Sequence, residues 1–248
     1  VARRSTHLRA GGLYEFEDTL TVETTISATF VTCAAWLLEL YELDGGDIYF
    51  LSGASEVRSP SRRFAVIFPP FSIARVRLEG ARGRVFGYAD TSSLPARFAG
   101  NAALFQTRAR AGTALPLDLL ECATAVESIP AWPHASAVSR RAKAIVDQSY
   151  LARVSFAQIA ARLGITTAHL SRQFKRDFQM TPTAYLHQLR LADAPLKLAR
   201  GEEIAAVSHD VGYGDLSRFY KQFRKVTRTS PGVCREMIAP AGRDSRAR

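Results

Sequence analysis

Two short segments of the chain carry the same side-chain chemistry. Residues 168–176 hold Ala168, His169, Ser171, Arg172, Lys175 and Arg176; residues 217–225 hold Ser217, Arg218, Lys221, Arg224 and Lys225. Leu170, Phe174 and Phe178 interrupt the first set at spacings of four, and Phe219 and Phe223 interrupt the second. On a helix that spacing gathers the apolar residues on one face and leaves the basic and hydroxyl residues on the other. A helix with such an outer face fits the major groove of B-form DNA. There Arg reads guanine through two parallel hydrogen bonds and Ser reaches several base edges. Lys and Arg further along meet phosphates. The plain alternative is a pair of solvated basic helix faces.

The flanking sequence favours the first reading, because the whole arrangement repeats. "IAARLGI" at 159–165 matches "VSHDVGY" at 207–213, and "HLSRQFKRDFQMTP" at 169–182 matches "RFYKQFRKVTRTSP" at 218–231. Each unit runs short helix, Gly turn, longer basic helix, then Ser/Thr-Pro opening another helix. Gly164 and Gly212 suit the left-handed backbone of a tight turn between helices. Thr181-Pro182 and Ser230-Pro231 supply an N-cap and a proline at the first helical position. Ser155 with Gln158 three residues later forms a capping box. Caps, turns and periodicity agree on two successive helix-turn-helix units.

Charge separates this part of the chain from the rest. Residues 1–130 hold 13 Lys and Arg against 14 Asp and Glu, whereas residues 131–248 hold 20 against 9. A basic half beside a neutral one implies two domains, the second facing a polyanion. We expect a β-rich effector and dimerisation domain at 1–130, a linker at 131–137 ("IPAWPHASA" carries two prolines) and a DNA-binding domain at 138–248. Cys33, Cys122 and Cys234 are far apart and odd in number, which fits a reducing cytoplasm better than a disulfide framework. The longest apolar run, "FVTCAAWLLELY", is too short to span a bilayer, so no membrane association is expected.

Residues 138–237 resemble the DNA-binding domain of the AraC/XylS family of transcriptional regulators, through "IAARLGITTAHLSRQFKRDFQMTPTAYLHQLRL" and "VSHDVGYGDLSRFYKQFRKVTRTSPGVCR". The resemblance implies two helix-turn-helix subdomains joined by a long helix, with recognition helices in successive major grooves about 34 Å apart. It also implies a homodimer and RNA polymerase as a further partner. The sequence departs from the family pattern at four places. Gln179 and Arg228 replace a usual Gly, Cys234 replaces a usual Tyr, and Pro195 lies inside the linker helix. A proline there is expected to kink the axis at about 3 kcal/mol.

In the first half, "TLTVETTI" places Leu20, Val22 and Thr24 on one face. "DIYFLS", "RFAVIFP", "SIARVRLE" and "GRVFGYAD" read as short strands, with "LEGARG" as a hairpin turn between the last two. The resemblance implies a cupin-like barrel, so the expected class is α+β: a small antiparallel β-barrel plus a helix, then an all-α tandem helix-turn-helix. Leu115, Leu119, Cys122, Val126 and Ile129 predict an amphipathic helix over 115–129, packed on the barrel or forming a dimer seam. Only His7 among five histidines precedes residue 130, which disfavours a metal-dependent cupin enzyme. Cys33 and Cys122 sit in apolar settings that disfavour a reactive thiolate, so no enzyme is expected.

One window breaks the neutrality of this half. From Val57 to Arg84 there are seven arginines and one acid, Glu79. Arg75 and Arg77 alternate with apolar residues and share a face, and Arg58, Arg62 and Arg63 surround a Ser-Pro-Ser turn. Solvated sheet decoration is one reading. The other is an anionic effector, since Arg forks bind phosphate bidentately and stack on purines. "RSPSR" at 58–62 resembles the RxxxR of PilZ-type cyclic di-GMP receptors, and "DTSSLP" from Asp90 resembles their D/NxSxxG, with Pro95 in place of the last Gly. The resemblance implies Arg58 and Arg62 on phosphates and guanine faces, and Asp90 and Ser92 on guanine edges. Another small anion, or a sugar in the barrel, is the alternative effector.

Overall fold

The computed structural model describes residues 4–8, 14–32, 35–52, 55–90, 102–107, 126–129, 134–227 and 230–238. These form nine strands followed by seven helices. The strands are β1 (Arg4–Leu8), β2 (Tyr14–Thr21), β3 (Ile26–Val31), β4 (Trp36–Ser52), β5 (Ser55–Arg58), β6 (Arg63–Phe68), β7 (Ile73–Asp90), β8 (Ala102–Gln106) and β9 (Val126–Ile129). The helices are α1 (Ala137–Ser149), α2 (Phe156–Arg162), α3 (Thr167–Phe178), α4 (Pro182–Ala199), α5 (Ile204–Asp210), α6 (Leu216–Thr227) and α7 (Pro231–Ile238).

The sheet is built on a two-strand spine. β4 and β7 pair antiparallel from Trp36 opposite Asp90 to Leu51 opposite Arg75, with register shifts around Gly45. On one edge β7 pairs with β2 and then β3; on the other β4 pairs with β6 and then β5. β8 and β9 extend the β6 side. The spine bends where its glycines meet. Gly46 has φ +70, and a Cβ there would lie 2.2 Å from the Gly80 carbonyl carbon. This corrects the expected hairpin at "LEGARG". Gly80 and Gly83 take positive φ, which bends the strand, and the β4 register resumes on both sides.

One sheet face packs Tyr41, Phe50, Phe64, Phe68, Val76 and Leu104 together, with Tyr41 stacked on Phe64 at 4.8 Å. The other buries Trp36, Leu38, Ile67, Tyr88 and Phe105. β6 is therefore buried on both faces, which explains its unbroken apolar run "FAVIF". The strand path runs from β1 to β9 and its ends do not pair, so the described residues make an open, bent sheet rather than the expected closed barrel. Val22 is buried as expected, whereas Thr24 lies beyond the end of β2 and is exposed.

The expected helix at 115–129 is not formed at its end, where Val126–Ile129 pair with β8 as an edge strand. Two of those four residues are β-branched, and a free sheet edge offers them backbone partners that an isolated helical turn would lack. Residues 115–125, with Cys122, lie outside the described residues, as does Cys33.

The helical part follows the sequence closely. Ser155 caps α2 by accepting from the Gln158 amide, Thr166 caps α3, and Thr181 caps α4 with Pro182 in the first turn. Gly164 and Gly212 have φ of +69 and +81. Gln179 takes the left-handed backbone at φ +58, where the family pattern has Gly, and its side-chain amide donates to the Arg176 carbonyl at 3.0 Å. α4 runs through Pro195 from Pro182 to Ala199. It serves two cores. Tyr185, Leu186 and Leu189 pack with α1–α3, whereas Leu191, Ala194 and Leu198 pack with α5–α7.

The sheet touches the first of these cores. Val31, Ile73 and Phe71 pack with the α1–α4 residues, and Phe71 meets the Tyr150 ring edge-on at 5.9 Å. Phe71 holds a left-handed backbone at φ +59, in a turn tied by Thr32 and Ser72 to the Pro69 carbonyl.

Candidate nucleic-acid interface

Each candidate reading helix is positioned by three local devices. In the first unit, the Gly164 turn sets the entry, the Thr166 hydroxyl accepts from the His169 amide at 3.1 Å, and buried Leu170, Phe174 and Phe178 fix the rotation of α3. In the second, the Gly212 turn, the Asp215 carboxylate accepting from the Arg218 amide at 2.5 Å, and buried Phe219 and Phe223 do the same for α6.

The outward faces then present the expected chemistry. Ala168, His169, Arg172, Lys175 and Arg176 are exposed, with Ser171 half-buried beside them. Ser217, Arg218, Lys221, Arg224 and Lys225 are exposed on α6. Among the described residues, Arg176 alone of these cations has a carboxylate partner, a 3.4 Å contact with Asp177. The remainder stay available for an external polyanion. The α3 N-terminus is exposed and capped by the neutral Thr166, which adds the positive end of its dipole, whereas the Asp215 carboxylate offsets that end at α6.

Behind these faces lies a polar framework that the sequence reading missed. Asp177 accepts from the Ser136 amide at 3.0 Å and the Ser136 hydroxyl at 2.7 Å, tying α3 to the start of α1. Burial pushes its carboxyl up, but the Ser139 and Ser136 hydroxyls, the Ser136 amide and Gln173 outweigh this and hold it down at about 2. Asp147 accepts from the Tyr185 hydroxyl at 2.5 Å and from Lys143 at 2.7 Å. His187 meets the Tyr213 hydroxyl at 2.9 Å; burial, then the charges of Arg218, Arg190 and Lys225, lower its pKa. Burial pushes the Tyr213 hydroxyl up to about 12.

The arginine window in the sheet has a different character. Arg58 donates to Asp47 at 2.8 Å and Arg62 to the Gly46 carbonyl at 2.5 Å. Arg63 and Arg84 both face Glu42, at 3.7 and 2.9 Å. Arg77 pairs with Glu56 at 2.8 Å and lies over the Tyr49 ring at 4.4 Å. Arg75 shares the Arg77 face, as expected. The backbone does not set Arg62 beside Asp90. Arg62 sits opposite Leu43, whereas Asp90 pairs with Trp36. Those β4 positions are seven residues apart, roughly 23 Å along a strand. Ser92 and the Asp90 side chain lie outside the described residues. Among the described residues no three His, Cys, Asp or Glu side chains are placed to hold a metal, and no helix is long and apolar enough to cross a membrane.

Comparison with known proteins places the helical part. A family described as a helix-turn-helix domain matches residues 159–237. The HTH-type transcriptional activators RhaS of Pectobacterium carotovorum subsp. carotovorum and Pectobacterium atrosepticum are 32% and 31% identical over 87 residues. The match covers 35% of this chain and 31% of each relative, so the chain spans about a third of the length of the curated relatives it matches. The C-terminal domain of AraT, a response regulator from Geobacillus stearothermophilus, is 22% identical with a TM-score of 0.41, covering 46% of this chain and 96% of that one. An apo variant of ToxT from Vibrio cholerae is 11% identical with a TM-score of 0.53, covering 94% of this chain and all of that one. The ToxT likeness is one of fold: a β-rich part and a helical part in one chain. Residues 159–237 of this chain thus match a helix-turn-helix domain family, and the structure places two such units in tandem there.

Proposed function

We propose that the chain is a sequence-specific DNA-binding transcriptional regulator whose β-rich half governs the helical half. The observation that carries this reading is the pair of capped, core-locked helices α3 and α6, each presenting exposed cations with Ser at the groove-facing positions. Arg172 and Lys221 occupy equivalent places on the two helices and are assigned to base edges. Lys175, Arg176, Arg224 and Lys225 lie toward the C-terminal ends and are assigned to phosphates. Selection from a randomised duplex library tests this. The full chain should enrich two short motifs about one helical turn apart; enrichment of no sequence would overturn the reading.

Dimerisation through the β-rich half belongs to the same proposal, as does contact with RNA polymerase at promoters. Sedimentation of the full chain across concentration checks the dimer. For the effector, the arginine window is better accounted for as bracing of the bent sheet than as a nucleotide clamp. Arg58 and Arg62 would have to leave Asp47 and the Gly46 carbonyl to bind cyclic di-GMP. Calorimetric titration separates the two readings. Bracing predicts no saturable heat with cyclic di-GMP. A clamp predicts saturable binding that Arg58→Ala and Arg62→Ala abolish.

A further inference from the structure

Arg190 stands at the changeover of α4, between the side chains that serve the first helical core and those that serve the second. It is 9% exposed, and among the described residues no carboxylate pairs with it. Its guanidinium instead donates to three backbone carbonyls. Nε reaches Tyr150 at 2.6 Å and Nη2 reaches Ala152 at 2.7 Å, both in the turn between α1 and α2. Nη1 reaches Gly212 at 2.9 Å, in the turn between α5 and α6. One planar group thus ties the turn that leads into the first helix-turn-helix unit to the Gly212 turn inside the second.

The fit at the second turn is close. A Cβ on Gly212 would lie 2.8 Å from the Arg190 Cζ, so the glycine is required by the guanidinium as well as by its own φ of +81. Neighbouring contacts support the joint. The Tyr150 hydroxyl is hydrogen-bonded to Asp193, one turn further along α4, and the Arg190 guanidinium lies 6.0 Å from the Tyr213 ring. A rigid fork with donors in fixed directions constrains the mutual orientation of its acceptors, which a flexible ammonium does not. Gly212 is only four residues before α6 begins, so fixing this turn fixes α6 relative to the first unit.

We propose that Arg190 is a positioning residue that sets the angle between α3 and α6, and through it the spacing of the two DNA motifs. This rests on the DNA-binding reading above. The test uses the full chain and a duplex selected by the wild type, rebuilt with one or two base pairs inserted or removed between the motifs. Each change of one base pair rotates one motif by about a tenth of a turn. The wild type should lose affinity about tenfold on such a change, the scale of a lost base contact. Arg190→Lys should flatten that ratio to within about threefold. Loss of stability alone lowers affinity at every spacing alike and leaves the ratio unmoved. If Arg190→Lys fails to fold, Arg190→Gln removes the buried charge and reaches one turn only. A DNA-free measurement runs beside it: the distance distribution between spin labels on unnatural side chains at Ala168 and Ser217. It should be narrow in the wild type and broad in the variant. A folded variant that keeps both the wild-type spacing ratio and the narrow distribution overturns the proposal. A wild type that enriches no sequence overturns the DNA reading and the spacing claim together, a failure distinguishable from that of the clasp alone.

Discussion

The two helix-turn-helix units have nearly the same local sequence logic and are held in place by different means. The first leans on α1. Asp177 binds the Ser136 cap and Asp147 binds Tyr185, so two carboxylates pin the extra helix to the unit. The equivalent positions in the second unit are Val226, which is 42% exposed, and Cys234, which is buried. Neither can make those bonds. The helix behind the second unit is the later half of α4, whose Leu191, Ala194 and Leu198 pack with it, and the unit is tied through the Gly212 turn to Arg190. Repetition of a motif therefore fixes its internal geometry and leaves its anchorage to the surroundings. The sheet meets both parts, through Phe71 on Tyr150 and through β1 on α7, and α4 joins the two units.

Breaking this difference should give unequal results. Gly164 and Gly212 both take positive φ, but a Cβ at Gly164 meets nothing within 4 Å. Gly164→Ala should cost only the left-handed backbone, about 1–2 kcal/mol. Gly212→Ala adds a clash with Arg190 and should cost about 2–4 kcal/mol. Denaturant unfolding of the two variants checks the order.

Asp177 comes next. Asp177→Asn should lower stability by about 2 kcal/mol near neutral pH, because charge-assisted bonds to the α1 cap are lost. Its folded pKa of about 2 lies below the ordinary carboxylate value. The stabilisation is thus complete above that ordinary value, near 3.8, and fades as pH falls toward 2. Stability of the wild type and of Asp177→Asn should converge across that window. A constant difference from pH 6 to about pH 2 would show the carboxylate charge to be idle.

The smallest effect is expected at the end of α3. Gln179→Gly relieves a left-handed non-glycine residue but loses the bond to the Arg176 carbonyl, for a net gain of about 0.5 kcal/mol in thermal unfolding.

What could be read in advance follows the range of the interactions. Caps, glycine turns and the phenylalanine pairs were legible because each is decided within a few residues. The outward cations followed from them by periodicity. Arg190 was not legible, since its acceptors lie 40, 38 and 22 residues away and nothing local distinguishes it from an exposed helix arginine. The sheet misled for the same reason. "LEGARG" has the composition of a turn, and only the matching glycines of β4 make it a bend in a continuous strand. Val126 and Ile129 fit a helical spacing, and only the edge of β8 makes them a strand. The RxxxR pattern had plausible sequence spacing, but Arg62 and the Asp90 backbone lie opposite β4 positions seven residues apart.

Guanine-methylation interference on a selected duplex tests the central claim most directly. Two successive major grooves on one face should be sensitive, about 10 base pairs apart. Arg172→Ala should erase interference in one and Lys221→Ala in the other, each at about 1–3 kcal/mol of binding. A single sensitive groove, or a pattern that neither substitution changes, would contradict the assignment of α3 and α6 as the two reading helices.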